Sequence, residues 1–289
     1  MTPLETYPDL AKALGYKTIY FKREDKHQYK SHKGRSIPLM IQKYYDNGDR
    51  NFVVSSSGNA ALAAALYVKE LNVQNSDPAQ LTIFVGQKIN SQKFDNVKSL
   101  ADEHIHIFLK ERPLQALHQA VTEGARSLRQ SMDDEALVGY QSLAEELASV
   151  KDIGAVFVPT SSGTTAQALA GYFLEKNLKI QVHIVQTSSC HPMVDHFENF
   201  SLPDEQSIAD AIVDQVATRK DVLIPLVEKT GGRGWCATND DIRSAMNMSD
   251  NQAWQKISPN SALSVAGAMQ ASYLGYEING SIVCLITGA

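Results

Sequence analysis

Twice along the chain, a run of β-branched and aromatic residues leads straight into a turn of serine, threonine and glycine and then into a helix-forming stretch. The first copy is Asn51-Phe52-Val53-Val54-Ser55, followed by Ser56-Ser57-Gly58-Asn59 and an alanine- and leucine-rich segment over residues 60–71. The second is Ala155-Val156-Phe157-Val158-Pro159, followed by Thr160-Ser161-Ser162-Gly163-Thr164-Thr165 and a helical pattern over 166–176. A continuous apolar run without alternation marks a strand buried on both faces, the habit of parallel sheets covered by helices. Strand, small-residue turn and helix make the βα unit of an open α/β sheet, where ligands lie at the carboxyl ends of the strands. The expected fold class is α/β, with open twisted sheets flanked by helices.

The rest of the chain fits that frame. Residues 18–21 read as a strand and 36–45 as a helix, with Pro38 admissible in its first turn and Asn47-Gly48 as its stop. Strands are expected at 81–85 and 104–109, with a helix over 91–102 between them. Pro113 opens a helix expected to reach about Gln130, and Ser142 with Glu145 forms a capping-box pattern for a helix ending near Val150. Further strands are expected at 180–186 and 282–286, and helices at 201–216, 238–246 and 261–273. Thr238 caps the second of these helices, with two acids in its first turn. Gly231-Gly232-Arg233-Gly234 reads as a turn carrying an exposed arginine.

Composition narrows the function classes. A chain of 289 residues with 43% hydrophobic content can bury a sizeable core, as one large or two medium domains. The net charge of -5, with both signs interspersed, leaves no nucleic-acid footprint. The 3 cysteines and 8 histidines show no metal-ligand spacing, so no metal is expected, and the cysteines read as reduced thiols. Cys190-His191 precedes Pro192, and adjacent side chains rarely face each other as a nucleophile and its base. The N-terminal residues lack the basic and apolar regions of a signal peptide, and no apolar run reaches membrane-spanning length. A soluble, cytoplasmic protein is expected.

The candidate chemistry centres on Ser31-His32-Lys33-Gly34-Arg35. A lone lysine is most often a solvated charge, so the meaning of Lys33 rests on the turns that follow it in order. The backbone N–H groups of Ser161, Ser162, Gly163, Thr164 and Thr165, with four hydroxyls among them, could surround a phosphate at a helix N-terminus. That turn has neither the lysine of a P-loop nor the glycines of a dinucleotide fingerprint. Ser56, Ser57 and Gly58 make a second nest suited to a carboxylate, and the Asn59 amide could donate to a phenolate oxygen. Ordinary helix capping accounts for either turn equally well.

Taken together, the motifs resemble a known family. Thr2-Pro3-Leu4, Phe21-Lys22-Arg23-Glu24-Asp25, Ser-x-Lys-x-Arg at 31–35 and Ser-Ser-Gly-Asn at 56–59 look like the fold type II (tryptophan synthase β-like) enzymes that depend on pyridoxal 5'-phosphate (PLP). Gly139-Tyr140-Gln141-Ser142, Val156-Phe157-Val158-Pro159, Ile257-Ser258-Pro259-Asn260-Ser261 and Leu285-Ile286-Thr287-Gly288 add to the match, which runs over essentially the whole chain and is nearest the threonine synthase group. The resemblance implies that Lys33 holds the cofactor as a Schiff base and then serves as acid and base at the substrate α-carbon. It assigns Asn59 to the cofactor's 3′-oxygen, Ser161, Ser162, Gly163, Thr164 and Thr165 to its phosphate, and Thr287 to the pyridine nitrogen. Ser56, Ser57 and Gly58 fall to the substrate carboxylate.

The resemblance further implies a two-domain chain: residues 1–36 plus 139–289 form a larger PLP-binding domain and 37–138 a smaller, mobile one, with a homodimer as the assembly. The implied activity is β/γ-elimination or replacement on a small amino acid, as in a threonine synthase-like lyase. The alternatives are a serine/threonine dehydratase (ammonia-lyase) and a non-catalytic homologue that binds a ligand or partner. The chain departs from threonine synthases at His27-Gln28-Tyr29-Lys30, where they carry Asn-Pro-Thr-Gly. Asp133-Asp134-Glu135-Ala136 lacks their substrate-phosphate arginine, and acids there would repel a phosphorylated substrate. His32 replaces an apolar residue, either as an added acid or base or as a packed substitution.

Overall fold

The computed structural model describes the whole chain except residues 88, 90, 199–202, 204 and 289. In chain order the strands begin with β1 (Leu4–Thr6), β2 (Ile19–Arg23), β3 (Asn51–Ser55), β4 (Gln80–Gly86), β5 (Ile105–Lys110) and β6 (Arg126–Ser127). They continue with β7 (Ile153–Pro159), β8 (Gln181–Thr187), β9 (Gly234–Ala237) and β10 (Ser281–Ile286). The helices begin with α1 (Pro8–Ala13), α2 (Ile37–Asp46), α3 (Asn59–Gln74), α4 (Ser91–Lys98) and α5 (Pro113–Thr122). They continue with α6 (Glu135–Ala148), α7 (Thr164–Glu175), α8 (Lys220–Lys229), α9 (Asn239–Ala253) and α10 (Pro259–Tyr273). The chain divides into two compact units, Met1–His27 with Tyr140–Ala289, and Gln28–Gly139.

The larger unit is built on a sheet of order β1-β2-β10-β7-β8-β9, parallel throughout except for the antiparallel β1. Its strands are apolar on both faces because both faces are covered. Ala155 and Phe157 of β7 join a cluster with Leu263 and Ala266 of α10, while Val156 and Val158 join one with Leu169 of α7 and Leu223 of α8. That two-sided burial is what an uninterrupted Val/Ile/Phe run encodes. The smaller unit holds a parallel sheet of order β5-β4-β3-β6. The alanines of α3 lie in its core beside Phe52, Ile83 and Ile41, where small side chains let the helix approach closely.

Four expectations change. The helix opened by Pro113 ends at Thr122, because Gly124 takes a left-handed φ of 100° and the chain then adds β6 to β3. Ser142 lies inside α6 and not at its start: the helix begins seven residues earlier, where Asp133 Oδ1 accepts from the Glu135 amide at 3.0 Å. Residues 201, 202 and 204 of the expected helix at 201–216 lie outside the described residues, and the described remainder is irregular. Its amides bond side chains instead of a helical ladder: Ile208 to Asn239, Ala209 to Ser207 and Ala211 to Asn260. Gly234 opens β9, and Arg233 beside it lies over the Trp235 ring at 4.9 Å and pairs with Glu198 at 2.9 Å. The capping box at Thr238 forms as its sequence requires, with Asp241 as its acid.

Candidate active site

Lys33 sits in the 3-10 turn His32–Arg35, within the smaller unit. The chain enters that turn through Lys30, a non-glycine residue in the left-handed region at φ 67°. Ser31 is fully buried and its Oγ accepts from the Lys33 amide at 3.3 Å, closing the turn. The turn packs against α2 and α3, so Gln28 to Ser36 cluster with the smaller unit, whereas the sequence assigns this stretch to the larger domain. Gly139 explains how tightly the turn is held. A Cβ there would lie 2.3 Å from Ser36 Cα and 2.5 Å from the Arg35 carbonyl oxygen. The Lys33 side chain is only partly exposed, and burial of its amine pulls the pKa down from 10.5 to about 8. Its Nζ donates to Gln130 Oε1 at 2.5 Å.

The turn carrying Ser56, Ser57, Gly58 and Asn59 belongs to the same unit, at the carboxyl end of β3. The Ser56 amide donates to the Phe84 carbonyl at 3.2 Å, which ties the turn to β4, and Ser56 Oγ accepts from the Gly58 amide at 3.2 Å. Ser57 and Gly58 are exposed, and a Cβ at Gly58 would have nothing within 4 Å. Asn59 opens α3, with Gly58 as N-cap.

The phosphate-type turn and Thr287 belong to the larger unit. Neighbouring parallel strands β7 and β10 end side by side, so residues 160–165 and Thr287 leave the same edge of the sheet. Gly163 is the N-cap of α7 at φ 82°, and a Cβ there would lie 2.7 Å from Leu223 Cδ2. Only glycine combines that backbone with that packing. Thr160 is used structurally, its hydroxyl on the Val158 carbonyl at 2.7 Å, while Ser162 and Thr164 share a hydroxyl bond at 3.0 Å. Ser161 Oγ accepts from the amides of Val213 at 3.2 Å and Asp214 at 3.3 Å.

One stretch that the sequence offered only through resemblance anchors the backbone beside Thr287. Ser261 Oγ donates to the Gly288 carbonyl at 3.0 Å and accepts from its amide at 3.3 Å, fixing the backbone next to Thr287. Asn260 Oδ1 accepts from the Ala211 amide at 3.0 Å, restraining the segment that Ser161 also holds. The local signal was the Ser258-Pro259 start of α10, where Ser258 Oγ accepts from Ser261 N at 3.2 Å. Gln130, which accepts from Lys33 Nζ, carries no such local signal.

Other candidates resolve into structure. Tyr44 donates to Asp133, and Lys43 pairs with Glu135 at 2.5 Å, so these acids brace the smaller unit. The three cysteines are buried and free, and burial pushes Cys190 up to about 11 and Cys236 up to about 12, away from thiolate chemistry. His191 pairs with Asp195 at 2.6 Å. His183 is fully buried against Phe157 and accepts from Trp235 Nε1 at 3.1 Å; burial holds its pKa near 3. Among the described residues, no group of three or more His, Cys, Asp or Glu could hold a metal, and no helix is long and apolar enough to cross a membrane.

The fold is of the α/β class, and a desolvated lysine amine and a glycine-fixed turn at a helix N-terminus are groups of the kind that serve a bound cofactor. The chain belongs to the pyridoxal-phosphate dependent enzyme family, which matches residues 1–288. Its cofactor is PLP, and the residues suit that group: an amine able to be neutral near pH 8, and a turn at a helix N-terminus whose glycine leaves no room for a Cβ. Over 302 residues it is 24% identical to a biosynthetic L-threonine dehydratase of Corynebacterium glutamicum, covering 99% of this chain and 67% of the relative. A threonine dehydratase of Nicotiana attenuata is 27% identical over 303 residues, covering 100% of this chain and 48% of that protein. The chain thus spans half to two thirds of these relatives. The crystal structure of a PLP-dependent aspartate racemase shares the fold, with a TM-score of 0.83 at 21% identity, covering 99% of this chain and 89% of that one. Both of these sequence relatives are dehydratases, whereas the motifs suggested the threonine synthases.

Proposed function

We propose that the chain is an ammonia-lyase of the serine/threonine dehydratase kind, removing water and then ammonia from a small β-hydroxy amino acid. The observation that carries this reading is the Lys33 amine, fixed by its turn and depressed to about 8, where it can both take and return a proton near neutral pH. The dehydratase relatives along the whole chain support the choice of reaction. Bound PLP supplies the electron sink at the substrate α-carbon. Lys33 removes the α-proton, and a proton returned to the β-hydroxyl lets it leave as water. The enamine so formed tautomerises and hydrolyses to a 2-oxo acid and ammonia. Ser56, Ser57 and Gly58 would orient the carboxylate, and Asn59 would donate to the cofactor's 3′-oxygen. Residues 161–165 would hold the phosphate, and Thr287 would offer the ring nitrogen a neutral hydroxyl, which would disfavour transamination and favour elimination.

The purified chain, supplied with PLP and then with L-threonine or L-serine, is expected to release equimolar 2-oxo acid and ammonia, and Lys33→Ala to release neither. A chain that develops the visible absorbance of lysine-bound cofactor yet yields no product from either substrate overturns the dehydratase reading. A chain that develops no such absorbance, and whose Lys33 is not labelled by borohydride in the presence of PLP, favours a non-catalytic homologue.

A further inference from the structure

We infer that Gln130 is a positioning residue for Lys33: its side-chain oxygen sets where the lysine amine rests, and in which protonation state, whenever that amine is not covalently bound. The inference rests on the reading of Lys33 as the reactive amine. The two residues are 97 positions apart in sequence, yet Lys33 Nζ donates to Gln130 Oε1 at 2.5 Å, and both lie within the smaller unit. The sheet explains how they meet. Strand β6 runs parallel to β3, with Phe52 opposite Arg126 and Val53 opposite Ser127. The Leu128 amide continues the pairing by donating to the Val53 carbonyl at 2.9 Å. Parallel register carries the chain after β6 to the edge of the sheet where β3 ends in the Ser56–Gly58 turn. Gln130 therefore emerges at the carboxyl end of the sheet, where α/β proteins place ligands.

The chemistry of an amide suits this position. Gln130 is 6% exposed, so its oxygen is a directed acceptor instead of a solvated one. A neutral amine that donates one N–H to it has its lone pair turned elsewhere, toward the atom it must attack or deprotonate. A carboxylate at the same place would hold the amine as ammonium, and an apolar side chain would withdraw the acceptor that ammonium needs. Glutamine lies between these: it accepts a hydrogen bond from the amine without adding charge, while burial by itself holds the amine near 8.

The test uses the full chain without cofactor. Lys33 is labelled competitively with acetic anhydride across pH, and the peptide carrying it is quantified by mass spectrometry. Wild type is expected to show a labelling midpoint near 8. Gln130→Glu is expected to raise the midpoint by about one unit or more, slowing labelling at pH 8 about fivefold. Gln130→Met, of similar length without the acceptor, is expected to lower it. The rate at which added PLP develops visible absorbance should follow the same order. Thermal unfolding of each variant is recorded alongside, and if Gln130→Glu fails to fold, Gln130→Met carries the test. Midpoints for the folded variants that coincide with wild type overturn the inference, because a merely structural glutamine would leave the titration of Lys33 in place. A failure of the PLP reading looks different: midpoints shift as expected while wild type never develops absorbance.

Discussion

The turns that open α3 and α7 have nearly the same sequence and are built in opposite ways. At α7, Thr160, Gly163, Thr164 and Thr165 are buried, Gly163 is locked in a left-handed conformation against Leu223, and Ser161 ties the turn to the 213–214 backbone. At α3, Ser57 and Gly58 are exposed and Gly58 has open space around its Cα. A turn finished by the protein's own packing suits a group that stays, such as a cofactor phosphate. A turn left exposed suits a group that comes and goes, such as a substrate carboxylate.

The sharpest challenge to this contrast is Gly163→Ala. A side chain at φ 82° costs about 1–2 kcal/mol, and the contact with Leu223 adds about 1–3 kcal/mol. Thermal unfolding should register the sum, with weaker cofactor retention. Lys33 gives the next effect, through pH. Its pKa is about 8 in the folded chain against an ordinary 10.5, so the unfolded chain binds the extra proton between those values. Stability of the cofactor-free chain therefore rises with pH from about 8 to 10.5, by at most about 3 kcal/mol, and the penalty is fully present below 8. Denaturant titrations should lose that rise in Lys33→Met. Ser161→Ala removes the acceptor for two amides and should cost about 1 kcal/mol, seen as faster hydrogen exchange at Val213 and Asp214. Smallest in stability is Gly58→Ala, within about 0.5 kcal/mol. Its expected signature is a higher KM with cofactor retention unchanged. If Gly58→Ala destabilises as much as Gly163→Ala, the two turns do not differ in kind.

Legibility followed the range of the interactions. The apolar runs of β3, β7, β8 and β10, the capping box at Thr238 and both small-residue turns were readable because a few adjacent residues settle them. The overlong helix after Pro113 and the irregular 207–217 segment were not. The first is cut short by pairing of β6 with a strand some seventy residues earlier, and the second is held by Asn239, Asn260 and Ser161 from distant elements. Short pieces such as β1 carry too little pattern to register.

The site divides along the same line. Sequence by itself determined that Lys33 is the candidate amine, that two serine–glycine turns stand at helix N-termini, and that the sheets are parallel and covered, since these follow from residue type, order and period. Tertiary structure decided what those residues are worth chemically. It lowered the pKa of Lys33 by burial, set Gln130 against its amine through the β3–β6 register, and committed Ser161 to a backbone far along the chain. It also turned the acids at 133 and 135 from a barrier to phosphate into braces for Tyr44 and Lys43. Desolvation and hydrogen-bond partnership depend on neighbours that only folding supplies, so no local pattern encodes them.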